Sequence, residues 1–303
     1  MNRAQRETLS ELADGNIRFS CSMAEYTTFR VGGKIEALVT VEKVGRLRKI
    51  VPFLEREDIP RFVLGRGSNL LVMDGDIPGV AIQLKGPLAA VEEDRSQEAG
   101  IAAGAGASLD RLLHFCRTNG FGGAEFLAGI PGTVGGAAVM NTGAFGQEIG
   151  ALIAELEMIT PRGELLQLNR DELCFSYRKL EVPEGQIVTR ALLEMEKSTA
   201  LKVGEKINEY LGRRKKTQPL HYPSAGSVFK NPPGEHAGRL LEEAGLKGKK
   251  CGGAMISTKH ANWIVNTGGA TARDILDLIG LARERVIEKR GIELDLEIKV
   301  IGR

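Results

Sequence analysis

The chain lacks any C-x-x-C pair. Its four cysteines, Cys21, Cys116, Cys174 and Cys251, lie far apart, which gives no support to a zinc knuckle or a redox dithiol and suits a reducing compartment. The four histidines show no H-E-x-x-H or comparable spacing, so no metal site is expected. No stretch reaches the ~18 apolar residues of a membrane span, and the opening MNRAQRETLSELADGNIRFS has no apolar signal core. A cytoplasmic protein is expected, with no obligatory protein partner evident. A dominant charge sign is missing too: 41 basic against 39 acidic residues leave a net charge of +2, and aromatics make up 5%. That balance argues against nucleic-acid binding, which needs a basic field and stacking surfaces. The one dense basic run, Arg213-Arg214-Lys215-Lys216, reads as a solvated helix end. Repeats and low-complexity tracts are absent, which removes solenoid and disordered readings.

What the chain has instead is glycine. The stretch Gly122 to Gly146, GGAEFLAGIPGTVGGAAVMNTGAFG, holds eight glycines among small apolar residues and almost no charge. Bare backbone lets amides approach a bound group closely and form an anion-binding nest; a run of tight turns in a Gly-rich sheet is the alternative. Gly65-Arg-Gly-Ser-Asn69 and Gly104-Ala-Gly106 are two further Gly-rich turns, which together with Gly129 to Ala137 suit a long phosphate-bearing ligand lying across several loops. A dinucleotide fold is not indicated, because a strand rather than a helix follows Gly65-x-Gly67. No P-loop lysine accompanies any of the three turns.

At 303 residues the chain should hold two or three domains. Val44, Leu47, Ile50, Val51 and Leu54 follow a helical period after Thr40 as a possible cap, with Pro52 expected to kink or divide that helix. Arg61 to Leu64, the Gly65 to Asn69 turn and Leu70 to Met73 read as strand-turn-strand. Further strands are expected at Val80 to Leu84 and Gly100 to Ala103. Ser108 caps a helix with stripe Leu109, Leu112, Leu113 and Cys116, ended by Gly120. Pro161-Arg-Gly163 turns a hairpin between Ile153 to Ile159 and Glu164 to Leu168, and Gln186 to Glu196 is a strand. Leu201, Ile207 and Leu211 mark a helix that leads to a linker at Gln218-Pro219. A helix from Glu235 to Ala244 follows, then one opened by Thr271-x-x-Asp274 and closed at Gly291. The last strand, Leu294 to Val300, alternates apolar and charged residues, placing Asp295, Glu297 and Lys299 on one face.

Seven segments are then specific in combination. Tyr26-Thr-Thr-Phe-Arg-Val-Gly-Gly33, Leu64-Gly-Arg-Gly-Ser-Asn-Leu-Leu-Val72, Ala128-Gly-Ile-Pro-Gly-Thr-Val-Gly-Gly-Ala137, Asn141-Thr-Gly-Ala144, Ser176-Tyr-Arg178, Pro223-Ser-Ala-Gly-Ser-Val-Phe-Lys-Asn-Pro232 and Leu296-Glu-Ile-Lys-Val-Ile-Gly302 resemble, in order, the UDP-N-acetylenolpyruvoylglucosamine reductase family. The Gly-rich segments alone resemble only the broader vanillyl-alcohol-oxidase-type flavin fold; the serine motif and C-terminal glutamate are more specific. The resemblance implies an α+β chain: a two-subdomain FAD-binding module of the vanillyl-alcohol-oxidase (PCMH) type, residues 1–88 and 89–198, then a C-terminal mixed α/β substrate domain, residues 199–303. Some members carry a tyrosine-bearing insertion in the substrate domain. The roughly 40 residues between Asn231 and Thr271 leave no room for one, so the shorter type is expected, and Tyr177, Tyr210 and Tyr222 cannot be assumed to replace its lid tyrosine.

The implied reaction reduces the enolpyruvyl ether of a UDP-sugar in peptidoglycan precursor synthesis, with NADPH as hydride donor and FAD as carrier. Hydride added to the terminal carbon drives negative charge towards the carboxylate, so a cation and a proton donor are needed. The resemblance gives these roles to Arg178 and Ser227, with Glu297 assisting. Composition alone reads Arg178 as a surface arginine, Ser224-Ala-Gly-Ser227 as a turn, with Ser224 a competing hydroxyl, and Glu297 as a solvated carboxylate like Asp295. Tyr177, Lys216, Lys230 and Asn231 are expected to contact substrate. FAD contacts are expected from Gly65, Arg66, Gly67, Ser68, Asn69, Gly129, Ile130, Gly132, Thr133, Gly135, Gly136, Ala137, Asn141 and Gly143.

Overall fold

The computed structural model describes residues 1–95 and 98–302. The chain forms two units, neither continuous in sequence. The first comprises Met1–Phe19, Ala37–Gly65 and Pro78–Gly212; the second comprises Ser20–Glu36, Arg66–Ile77 and Arg213–Arg303. Segments that the sequence assigns to the N-terminal part thus group with the C-terminal unit. The reason is burial: Phe29, Val31 and Leu71 are core residues of the second unit, beside Val228, Ile275 and Leu294.

The first unit holds α1 (Arg3–Leu12), α2 (Val44–Arg56) and most of a four-stranded sheet ordered Ile17–Ser22, Lys34–Val41, Ile77–Leu84, Arg61–Val63. Thr40 belongs to a strand rather than capping α2, whose N-cap is Lys43 without a side-chain bond. Pro52 lies within a continuous α2. Having no N–H, it leaves the Arg48 carbonyl without its usual helical donor, and the turn at Gly163 packs against that gap, where a Cβ would meet the Arg48 oxygen at 2.4 Å. A five-stranded antiparallel sheet runs in the order Leu165–Asn169, Ile153–Ile159, Ile187–Glu194, Gly100–Gly104, Val91–Asp94. It contains the expected hairpin.

Helix α3 (Leu109–Asn119) starts at Ser108, whose hydroxyl accepts from the Arg111 N–H, and ends at Gly120 with φ +73°. Its whole expected stripe, Leu109, Leu112, Leu113 and Cys116, is buried. At about 1.5–3 kcal/mol per buried leucine, packing outweighs the ~1 kcal/mol of the cap. The Gly-rich stretch is not all turn, because it holds the six-residue α4 (Val134–Val139), capped by Thr133.

Helix α5 (Ala200–Thr217) carries the chain from the first unit into the second. Its inward face differs from the one expected. Leu201 is 71% and Leu211 40% exposed, while Val203, Tyr210 and Arg214 are buried. Three apolar positions shared by two overlapping helical faces cannot say which face the neighbours will cover. Arg214 therefore departs from the solvated basic run, and burial lowers its pKa to about 10.

The second unit holds α6 (Ala237–Glu243), α7 (Ala272–Arg290) and an antiparallel sheet ordered Lys250–Cys251, Ala254–Ile256, Ile264–Asn266. Helix α7 has the expected Thr271/Asp274 capping box and stops at Gly291 with φ +66°. Asp74 adds a second cap, its carboxylate accepting from the N–H groups of Ala272 and Arg273 at 2.9 and 3.2 Å. The strand-turn-strand around Gly65 is not a hairpin. Arg61–Val63 pairs with Val80 to Ile82 in the first unit, whereas Leu70–Val72 pairs in parallel with Lys299–Ile301 in the second. The expected strand Leu294 to Val300 shortens to Lys299–Ile301, preceded by an isolated bridge from Leu296 to Phe229.

Candidate active site

In the first unit the Gly-rich segments converge. A Cβ on Gly65 would lie 2.7 Å from the Thr133 hydroxyl, and one on Gly135 would lie 2.7 Å from the Ala105 Cβ. The Gly135 and Val134 N–H groups donate to the Ala105 and Ala107 carbonyls at 2.9 and 2.8 Å. Bare backbone is therefore what lets Gly65, Gly104 to Gly106 and Gly129 to Ala137 meet. Gly129, Ile130, Gly132 and Thr133 remain half-buried, Gly136 is exposed and Ala137 is buried. A cradle of main chain with little charge fits a large flat cofactor carrying a phosphate.

Tyr177 and Arg178 form the two-residue turn of a hairpin between Cys174–Ser176 and Lys179–Glu181. Arg178 has φ +59°, a left-handed conformation that costs a non-glycine residue about 1–3 kcal/mol. Its guanidinium donates through Nη1 to the Gly143 carbonyl at 3.3 Å and lies 5.1 Å over the Tyr177 ring centroid. Tyr177 is 45% exposed. Gly143 opens a tight hairpin, paired with Glu148. Asn141, expected to face FAD, has its side chain turned into the protein: Nδ2 donates to Glu148 and to the Ser176 carbonyl, and Oδ1 accepts from the Gly150 N–H.

In the second unit Ser227 is half-buried beside Val228 and Phe229, which are fully inside. Gly226 has φ +77° with open space where a Cβ would stand, so backbone there is approachable. Two walls hold this segment. On one, the Glu297 N–H donates to the Val228 carbonyl at 2.8 Å and the Lys230 N–H to Asp295 at 2.8 Å. On the other, Asn262 accepts from the Val228 N–H through its carbonyl, and its side chain both accepts from the Phe229 N–H at 2.9 Å and donates to the Phe229 carbonyl at 2.8 Å. Ser227 and Glu297 are thereby fixed on neighbouring backbone. Asn69 joins them, its amide donating to the Glu297 carbonyl at 3.0 Å.

The remaining residues are placed differently. Lys216 is exposed at the end of α5, Lys230 is half-buried, and Asn231 is exposed with Oδ1 accepting from the Ala237 N–H in the first turn of α6. Arg66 is exposed, Gly67 buried and Ser68 half-buried. Ser224 is buried, which leaves Ser227 the more accessible hydroxyl. Cys116 is no nucleophile: burial first, then the nearby Glu125 charge, pushes its thiol up to about 12. His260 supports the Asn262 wall, its Nδ1 accepting from the Asn262 N–H at 3.3 Å; burial first and then the Lys247 charge lower its pKa. Asn262 has no motif signal. The only hint is an amide set between strand-like apolar residues in Ala261-Asn-Trp-Ile264.

A profile described as the C-terminal domain of UDP-N-acetylenolpyruvoylglucosamine reductase matches residues 218–301, and one for a FAD binding domain matches residues 35–169. A protein of Myxococcus xanthus named UDP-N-acetylenolpyruvoylglucosamine reductase is 44% identical over 92% of this chain and 90% of its own. The chain belongs to this reductase family. The crystal structure of the enzyme of that name from Thermus caldophilus superposes with a TM-score of 0.81 at 37% identity, over 94% of this chain and all of that one. Berberine bridge enzyme, at 14% identity and a TM-score of 0.50 over 66% of this chain and 44% of that one, shares the fold alone. The flavin-binding fold and the family-specific C-terminal domain are thus both present in one chain. No helix among the described residues is long and apolar enough to cross a membrane.

Proposed function

We propose that this chain reduces the enolpyruvyl ether of UDP-N-acetylglucosamine to the lactyl ether of UDP-N-acetylmuramate, using NADPH, in the cytoplasm. What supports the proposal is that one chain of this family holds both a glycine cradle, in its first unit, and the walled Ser227 segment, in its second. The residues of the cradle fit FAD, and Gly65, Gly129, Gly132, Thr133 and Gly136 would hold it by backbone approach, with the buried Gly135, bonded to Ala105, behind them. FAD, when bound, supplies hydride taken from NADPH.

The protein's own work is charge and proton management. Arg178, cationic at any working pH, binds the substrate carboxylate and holds the negative charge that develops there. Its turn conformation is fixed in advance, so no reorganisation is needed as the charge forms. Ser227 delivers its hydroxyl proton to the carbon next to the carboxylate, completing addition of hydride and proton across the double bond. A serine is a weak acid, but a carbanionic centre is a strong base, so proximity suffices without a histidine. Glu297, anchored through its own N–H to Val228, is placed to orient that hydroxyl or a water. Lys216, Lys230 and Asn231 are suited to the UDP phosphates and Tyr177 to the sugar.

The test is a pair of half-reactions on the FAD-loaded protein. NADPH should bleach the flavin band, and the UDP-enolpyruvyl sugar should restore it, while other acceptors do so far more slowly. A related flavin oxidase acting on another substrate would be bleached without being reoxidised by this sugar, and that outcome would reject the proposal.

A further inference from the structure

Arg178 sits in a closed ring of contacts that runs through two hairpins and returns to one amide. From Asn141, Nδ2 reaches the Ser176 carbonyl at 3.0 Å. Ser176 precedes the turn bearing Arg178, whose Nη1 reaches the Gly143 carbonyl at 3.3 Å. Gly143 is paired in the ladder with Glu148, and a Glu148 carboxylate oxygen returns to Asn141 Nδ2 at 2.7 Å. Asn141 Oδ1 accepts the Gly150 N–H at 3.0 Å. The residue is 1% exposed and its backbone has φ +39°.

Only an amide satisfies this site. It needs two donors, for a carboxylate and a carbonyl, and one acceptor, for an N–H. An alanine leaves Glu148 unanswered, and an aspartate sets two carboxylates against each other. What Glu148 does when unanswered follows from its position. Its Cγ and Arg178 Nη1 stand 2.8 and 3.4 Å from one point, the place where a Cβ on Gly143 would be. A released carboxylate therefore has the guanidinium within reach.

We propose that Asn141 is a positioning residue for Arg178: it ties the arginine's turn through Ser176 and restrains the Glu148 carboxylate from pairing with the guanidinium assigned above to the substrate carboxylate. This rests on the proposed role of Arg178. It redirects Asn141 from cofactor contact to control of substrate affinity.

The experiment uses FAD-loaded Asn141→Ala, Glu148→Gln, the double variant and Arg178→Ala. A charged hydrogen-bond competitor should raise the KM for the UDP-enolpyruvyl sugar about tenfold or more in Asn141→Ala, with flavin content and the rate of bleaching by NADPH within about twofold of the parent. Adding Glu148→Gln, which cannot form the ion pair, should bring KM back to within about threefold. Asn141→Asp with the same rescue serves if the alanine variant does not fold. Unchanged KM in the Asn141 variant, equal loss of both half-reactions, or no rescue by Glu148→Gln would overturn the proposal. A normal substrate half-reaction in Arg178→Ala would instead remove the role of the arginine itself, whatever the Asn141 variants do.

Discussion

The two pieces of chain that carry the candidate chemistry are held by opposite means. Arg178 rides on a turn in a left-handed conformation, fastened by side chains: its own guanidinium to Gly143 and the Asn141 amide to Ser176. Ser227 lies next to a segment bonded through its main chain on both sides, to Asn262 and to Glu297. The difference teaches where each site is vulnerable. Strain at the arginine is offset by a few bonds that can be cut singly, whereas the serine's position is set by backbone that its own side chain does not affect.

Ser227→Ala gives the largest expected effect. Reoxidation of reduced flavin by the UDP-enolpyruvyl sugar should slow by about 10²- to 10⁴-fold, the usual worth of a positioned proton donor, with thermal stability and bleaching by NADPH unchanged. A matching fall in both half-reactions would show that the backbone-held segment depends on the serine after all. Asn262→Ala strikes the wall instead: it strands the Phe229 N–H and carbonyl, at about 1–3 kcal/mol per buried group, and denaturant titration should show a loss of about 2–5 kcal/mol. A loss under ~1 kcal/mol would mean that the Glu297 side suffices.

At the other site, Arg178→Gly and Arg178→Ala should be equally inactive, yet the glycine variant should be more stable by about 1 kcal/mol, because only the alanine keeps the left-handed penalty. Equal midpoints would put the strain elsewhere. The smallest effect concerns His260. Its folded-state pKa is lowered, by burial first, so the unfolded chain binds the proton more readily. Stability is full above the ordinary value near 6.5 and is lost as pH falls towards the folded-state value. Melting from about pH 7.5 to about pH 5.5 should therefore cost the parent more than His260→Gln; parallel falls would disconnect the imidazole from the Asn262 wall.

Much of the local structure was legible because local signals and packing agreed. Helix α3 keeps its Ser108 cap, its four-residue stripe and its Gly120 stop; α7 keeps its Thr271 and Asp274 box. Helix α5 was misread where they disagreed, since Leu201 and Leu211 face water while Tyr210 and Arg214 turn inward. The candidate site was legible only as separate motifs. Ser227 and Glu297 could be named from the serine motif and the terminal glutamate, but nothing in either said that Asn262 would wall them in. Asn141 was visible as part of a glycine motif, and its side chain proved to bond Glu148 and Ser176 instead.

The sequence by itself determined the family, the flavin-type glycine cradle and the boundaries of α3 and α7, because these depend on residue identity and short-range period. Tertiary structure alone decided that Leu70–Val72 pairs with Lys299–Ile301, that two N-terminal segments supply core to the C-terminal unit, and which amides serve as struts. Those outcomes depend on burial between residues remote in sequence and on where each polar group finds its one available partner, and neither quantity is carried by any local window of the chain.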